Sequence, residues 1–170
     1  MKKYEFTGEV KVGLGVTLHR IRAAVSFGIV VKGELGGWIE KEDNLSQNGN
    51  AWVYGNAKVF GNAEVCGNAK VCGDAEVYGN AEVYGDAKVC GDAEVCGDAE
   101  VCWFSNFGSS LRTTTAFRVK DGGVAVSCGC FFGSVDEFER KVEDTHGDSL
   151  YGREYKAIIE VIKIHFWLKN

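Results

Sequence analysis

Between Gly49 and Cys102 the chain repeats the unit Gly-(Asn/Asp)-Ala-x-Val-(Tyr/Phe/Cys) nine times without a break. Val53, Val59, Val65, Val71, Val77, Val83, Val89, Val95 and Val101 recur every six residues, and Ala51 through Ala99 recur two positions before them. A fixed short period with one large and one small apolar position per unit is the mark of a solenoid, in which each unit buries its apolar residues only by stacking on its neighbours. Each Gly-Asn or Gly-Asp pair suits a tight corner where left-handed backbone angles are tolerated.

The spacing resembles that of the hexapeptide-repeat proteins, whose fold is a left-handed parallel β-helix of triangular section. The resemblance implies that the valine and the alanine before it both point into the prism. One coil then takes three units, so residues eighteen apart stack, with a rise of about 4.8 Å per coil. The expected architecture is an all-β left-handed parallel β-helix over 35–102, an N-terminal cap over 1–34, and a small α+β domain over 103–170. Ile39 and Leu45 keep the six-residue step, but Leu45 to Val53 is eight residues, so an excursion is expected at Ser46–Asn48.

Stacking by eighteen sorts the outward positions into three columns: Trp52, Lys70 and Lys88; Lys58, Glu76 and Glu94; Glu64, Glu82 and Glu100. A ladder of like charges costs stability unless it is solvated or matched by a positive partner. The slot after each valine stacks as Tyr54/Cys72/Cys90, Phe60/Tyr78/Cys96 and Cys66/Tyr84/Cys102. Exposed rows of aromatic and thiol groups call for cover, either from a partner chain or from the chain's own ends. A homotrimer is the expected assembly.

The net charge is −5, and the repeat carries three lysines against nine acidic residues. No broad basic surface exists to hold bulk nucleic acid. Five of the seven cysteines share the repeat slot with tyrosine and phenylalanine, which requires an apolar slot and no disulfide framework. Nothing at the start resembles a signal peptide, and the expected location is a reducing cytoplasm. No apolar run reaches the about 18 residues of a membrane span.

Beyond Cys102 the pattern changes. Thr113–Val119 and Val124–Cys128 read as strands joined by a hairpin at Asp121-Gly122-Gly123. Ser134 and Glu137 form a capping box for a helix ending before Gly147. Tyr155, Ile158, Ile159, Ile162 and Phe166 make a helical stripe, although their β-branched content leaves a strand open.

Candidate chemistry concentrates in this tail. Arg112, Thr114 and Arg118 fall on one face of the first strand, where two guanidinium groups beside a hydroxyl can fork onto a phosphate or carboxylate. Trp103 and Phe107 can stack on an apolar part of a ligand, with His19 or His146 as an edge donor. The bland alternative is a solvated strand with ordinary surface charges. Cys128-Gly129-Cys130 lacks the four-ligand spacing of structural zinc, so neither metal nor cofactor is expected.

Many proteins of the hexapeptide fold are acyltransferases whose base is a histidine. Here the repeat holds none, since His19, His146 and His165 all lie outside it. The absence of a base in the coils favours a non-catalytic reading. A closer resemblance runs through Leu14–Ala23, Leu35-Gly36-Gly37-Trp38-Ile39-Glu40, Asn44-Leu45-Ser46 and the Gly-Asn-Ala repeats. It continues in Arg112–Thr115, Cys128-Gly129-Cys130-Phe131 and Thr145-His146-Gly147. These stretches resemble hexapeptide-repeat proteins of phages and prophages of Gram-positive bacteria. That resemblance implies a non-enzymatic oligomeric scaffold in the host cytoplasm. Its implied partner is a host defence protein or a small anionic ligand, including a nucleotide signal that it sequesters. A purely structural protein and a hexapeptide-type acyltransferase are the alternatives.

Overall fold

A computed structural model describes residues 1–13, 15–91, 93–96, 101–119 and 122–168. Expectations placed on Leu14, Ala99, Glu100 and Asp121 lie outside those residues.

The chain opens with an antiparallel hairpin, β1 (Tyr4–Gly13) and β2 (Val16–Ala23), and β2 continues antiparallel onto β3 (Leu35–Ile39). Eight two-residue rungs follow. They are β4 (Trp52–Val53), β5 (Lys58–Val59), β6 (Glu64–Val65), β7 (Lys70–Val71), β8 (Glu76–Val77), β9 (Glu82–Val83), β10 (Lys88–Val89) and β11 (Glu94–Val95). All pair in parallel, Trp52 with Lys70 and Lys70 with Lys88, Lys58 with Glu76 and Glu76 with Glu94, Glu64 with Glu82. The result is a β-solenoid of about three turns.

The repeat dictates this geometry residue by residue. Every described valine from Val53 to Val95 is fully buried, and the alanines two positions earlier fill the remaining interior. Burying one valine is worth about 1.5–3 kcal/mol, and the repetition multiplies that gain along a single core. Backbone groups are satisfied between coils, as when Lys58 N donates to Ala75 O at 2.8 Å and Phe60 N to Val77 O at 3.0 Å. At the corners the amides form ladders: Asn50 Nδ2 donates to Asn68 Oδ1 (3.0 Å), and Asn68 Nδ2 to Asp86 Oδ1 (3.1 Å).

The first coil is longer than the rest. Ile39 pairs with Val59 and Leu45 bridges Val65, two residues further apart than the later partners. The excess lies after Leu45, and the N–H groups of Asn50 and Ala51 then both donate to Gly67 O, at 2.8 and 2.9 Å. Asn44, fully buried, holds this coil down by donating to Ala63 O at 2.8 Å and accepting from Lys41 N at 2.9 Å.

Both ends of the core are closed by the chain itself. Tyr4, Phe27 and Val30 pack on Trp52 at one end, with Tyr4 and Phe27 edge-on to the indole. At the other end stands a four-stranded antiparallel sheet of β12 (Val101–Phe107), β13 (Arg112–Arg118), β14 (Val124–Cys128) and β15 (Phe131–Ser134). Two helices follow, α1 (Val135–His146) and α2 (Leu150–His165), so the apolar stripe near the end of the chain is helical. The sheet is sandwiched. Phe117 and Ala125 join the solenoid core, while Ala116 and Val126 pack with Phe138, Tyr155 and Ile159 under the helices. No helix among the described residues is long and apolar enough to cross a membrane.

Candidate functional site

A groove of about 810 Å³ runs along the solenoid between its two closing segments. Its floor is the corner ladder Asn50, Asn68 and Asp86 beside the column of Lys70 and Lys88. The loop residues Gly28 and Ile29 wall it at the first coil. Ser105, Asn106, Arg112, Thr113, Gly129 and Cys130 wall it at the last.

Each cation owes its position to an identifiable contact. Lys70 and Lys88 point outwards because the repeat places them between the buried alanine and valine of their units, and pairing in register sets one above the other. Lys88 is fixed at both ends: its N–H donates to Thr115 Oγ1 at 3.0 Å, and its ammonium reaches Gly129 O at 3.5 Å. Arg112 begins β13 and lays its guanidinium across Gly129, where an added methyl group would sit 2.2 Å from Nη1. Gly129 has a φ of +63°, so glycine both makes that turn and leaves room for the arginine.

The lining is electrostatically unbalanced. Among the described residues, Lys70, Lys88 and Arg112 form no ion pair, and Asp86 is the only carboxylate on the groove wall. Stacked lysines repel, and an anion between them relieves that repulsion. Tyr54 also lines the groove, and its buried hydroxyl has no hydrogen-bond partner among the described residues. Burial pushes that phenol above its ordinary pKa, with Glu34 and Cys72 adding to the shift. An orphan donor of this kind asks for an acceptor.

The residues expected from the sequence separate. Arg112 reaches the groove, with its neighbour Thr113, which meets Ser105 Oγ at 3.0 Å. Thr114 is fully buried and donates to Cys128 Sγ at 3.2 Å, because the helices cover the face that alternation assigned to a ligand. Arg118 lies at the far end of β13, donating to Phe166 O at 2.8 Å and stacking over that ring at 5.5 Å. Trp103 packs edge-on to Tyr84 and over Gly85. Phe107 is 41% exposed and is not part of the groove wall. His19 sits 5.0 Å from the Phe6 ring on the opening hairpin, and His146 stacks on Tyr155 at the end of α1. No cluster of three or more metal-ligating side chains occurs among the described residues.

Sequence reasoning passed over Lys70, Lys88, Tyr54 and the Gly129–Cys130 turn as site residues. The lysine column was a legible signal, since stacking by eighteen already aligned it. What it lacked was the position of the closing segments that turn an exposed column into a groove.

No protein-family model matches the chain. An uncharacterized acetyltransferase of Escherichia coli K12, YdcK, is 46% identical over 39 residues, which is 23% of this chain and 12% of that relative's length. The name of that relative runs against the reading of this chain as non-catalytic, and that reading is corrected on it. The phage association and the sequestration of a defence signal gain no support from the match. Repeat and coil register agree on the architecture: the chain is a β-solenoid built on a six-residue repeat.

Proposed function

We propose that the chain transfers an acyl group and that the groove holds the anionic end of a substrate of that reaction. The observation that carries this reading is the set of three cations, Lys70, Lys88 and Arg112, which converge on one groove and form no ion pair among the described residues. The relative named as an acetyltransferase supplies the reaction class. Arg112 offers a planar fork to a phosphate or carboxylate, and the two lysines offer point charges at neighbouring coils. The corner amides of Asn50 and Asn68 supply neutral hydrogen bonds along the same floor. Closure of both groove ends by the chain's own segments orients a long ligand parallel to the solenoid axis.

Calorimetry with acetyl-coenzyme A and with inorganic pyrophosphate tests the groove. Arg112→Ala and Lys88→Ala should each weaken binding by roughly 1.5–3 kcal/mol, about tenfold to a hundredfold. Release of free thiol from acetyl-coenzyme A, measured across a panel of phosphorylated and carboxylated acceptors, tests the chemistry. Unchanged affinities in both variants would sink the groove assignment. Binding that is lost in the variants, but without thiol release for any acceptor, would sink acyl transfer and leave the groove standing.

A further inference from the structure

The repeat places cysteine in the same slot on different columns, and the columns give those thiols opposite surroundings. Cys72 and Cys90 are half-buried neighbours on adjacent coils, joined by the Cys72 N to Val89 O hydrogen bond of 2.9 Å. Lys70 and Lys88 stand two residues before them in the same units and act on the pair electrostatically. Cys90 Sγ also lies 3.1 Å from Ser127 Oγ of β14. Cys66 occupies the equivalent slot on the acidic column, beside Glu64 and Glu82.

We propose that Cys72 and Cys90 form a peroxide-reactive dithiol, in which Cys90 is oxidised first and Cys72 closes a reversible disulfide onto it. The spacing fits, because in-register residues on neighbouring parallel strands lie about 4.8 Å apart, within the roughly 4.4–6.8 Å that a disulfide spans between Cα atoms. The charge pattern fits as well. The neighbouring Cys72 thiol, the Ser127 hydroxyl and the Lys88 ammonium together outweigh the cost of burial and hold the Cys90 thiol below its ordinary pKa. The Cys90 thiol beside it, reinforced by burial, raises Cys72. Burial and the flanking carboxylates raise Cys66.

The chemistry balances with a hydroperoxide as oxidant. The Cys90 thiolate attacks the peroxide oxygen; an S–O bond forms, the O–O bond breaks, and the leaving oxygen departs as water or an alcohol after taking a proton. The Cys72 sulfur then attacks Cys90, the S–O bond breaks, and water leaves with the Cys72 proton. The two thiols lose two electrons and the peroxide gains them. This step is independent of acyl transfer and does not rest on it.

Trypsin separates the two cysteines, since cleavage after Lys70, Lys88 and Arg112 leaves Cys72 alone in 71–88 and puts Cys90 in 89–112. After treatment of the reduced protein with one equivalent of hydrogen peroxide, a non-reducing peptide map should show these two peptides linked. The link should vanish with dithiothreitol and be absent from Cys90→Ser. A wild-type map without the link, or a link that persists in Cys90→Ser, overturns the proposal. A second readout needs no variant. Iodoacetamide at pH 7 should modify Cys90 at least about tenfold faster than Cys66, because Cys90 is held below the ordinary thiol pKa and Cys66 above it. Equal rates for the two cysteines would remove the charge-column argument.

Discussion

At the scale of single residues, Lys3 records a conflict between burial and charge. It is 2% exposed, donates to Ala51 O at 2.9 Å, and lies 5.1 Å from the Phe27 ring. Burial lowers its pKa from 10.5 to about 8. Between those two values the unfolded chain keeps the proton and the folded chain sheds it. The Lys3 contribution to stability is therefore flat below about pH 8 and rises with pH up to about 10.5. Denaturant unfolding of the wild type and Lys3→Met at about pH 7 and about pH 9.5 checks the sign. The difference between the two proteins should move in favour of the wild type at the higher pH. An unchanged difference would mean that the ammonium is not penalised where it sits. Tyr4, whose phenol burial pushes up, is common to both proteins, so its own pH dependence cancels in the difference.

At the scale of elements, α1 depends on its capping box. Ser134 Oγ accepts from Glu137 N at 3.3 Å, and Glu137 Oε2 accepts from Ser134 N at 2.8 Å. Ser134→Ala should cost about 1 kcal/mol in urea unfolding, and a loss within error of zero would show that packing on the sheet alone holds the helix. That box, the rungs, the β13–β14 hairpin and the stripe of α2 were all legible in the sequence, because each is written locally as a spacing. The environment of β13 was not. Arg-Thr-Thr-Thr-Ala-Phe-Arg reads as a strand with one wet face, yet Thr114 and Thr115 are both fully buried. Their hydroxyls are satisfied by Cys128 and by Lys88, groups far away in sequence, so nothing local announces the burial. The candidate site inherited that error at Thr114 and Arg118. Arg112 stood outside it because it opens the strand, beyond the cover of the helices.

At the scale of the whole molecule, the three slot columns meet different fates. Phe60 and Tyr78 stack at 4.9 Å under Leu18 and Trp38 of the opening strands. Tyr84 leans on Trp103 but stays 43% exposed, and Glu64 and Glu82 line the open face nearby. A homotrimer formed through that acidic face is the proposed assembly. Sedimentation should then give about three times the 18.5 kDa of the chain, with a mass that responds to salt or to Glu82→Lys. A single-chain mass at micromolar concentration would reject it and leave the closing segments as the only cover.

The groove floor is laid down one coil at a time, with a wall at each end contributed by a segment that is not part of the repeat. Its length is therefore a ruler reading, counted in turns of the solenoid. Gain or loss of one eighteen-residue turn moves the Gly28–Ile29 wall relative to Arg112 by about 4.8 Å while preserving both walls and the core. Selection on such a chain can match ligands of different length by copying or deleting sequence already proven to fold. The currency of specificity becomes the number of turns, and the side chains at the two walls need not change.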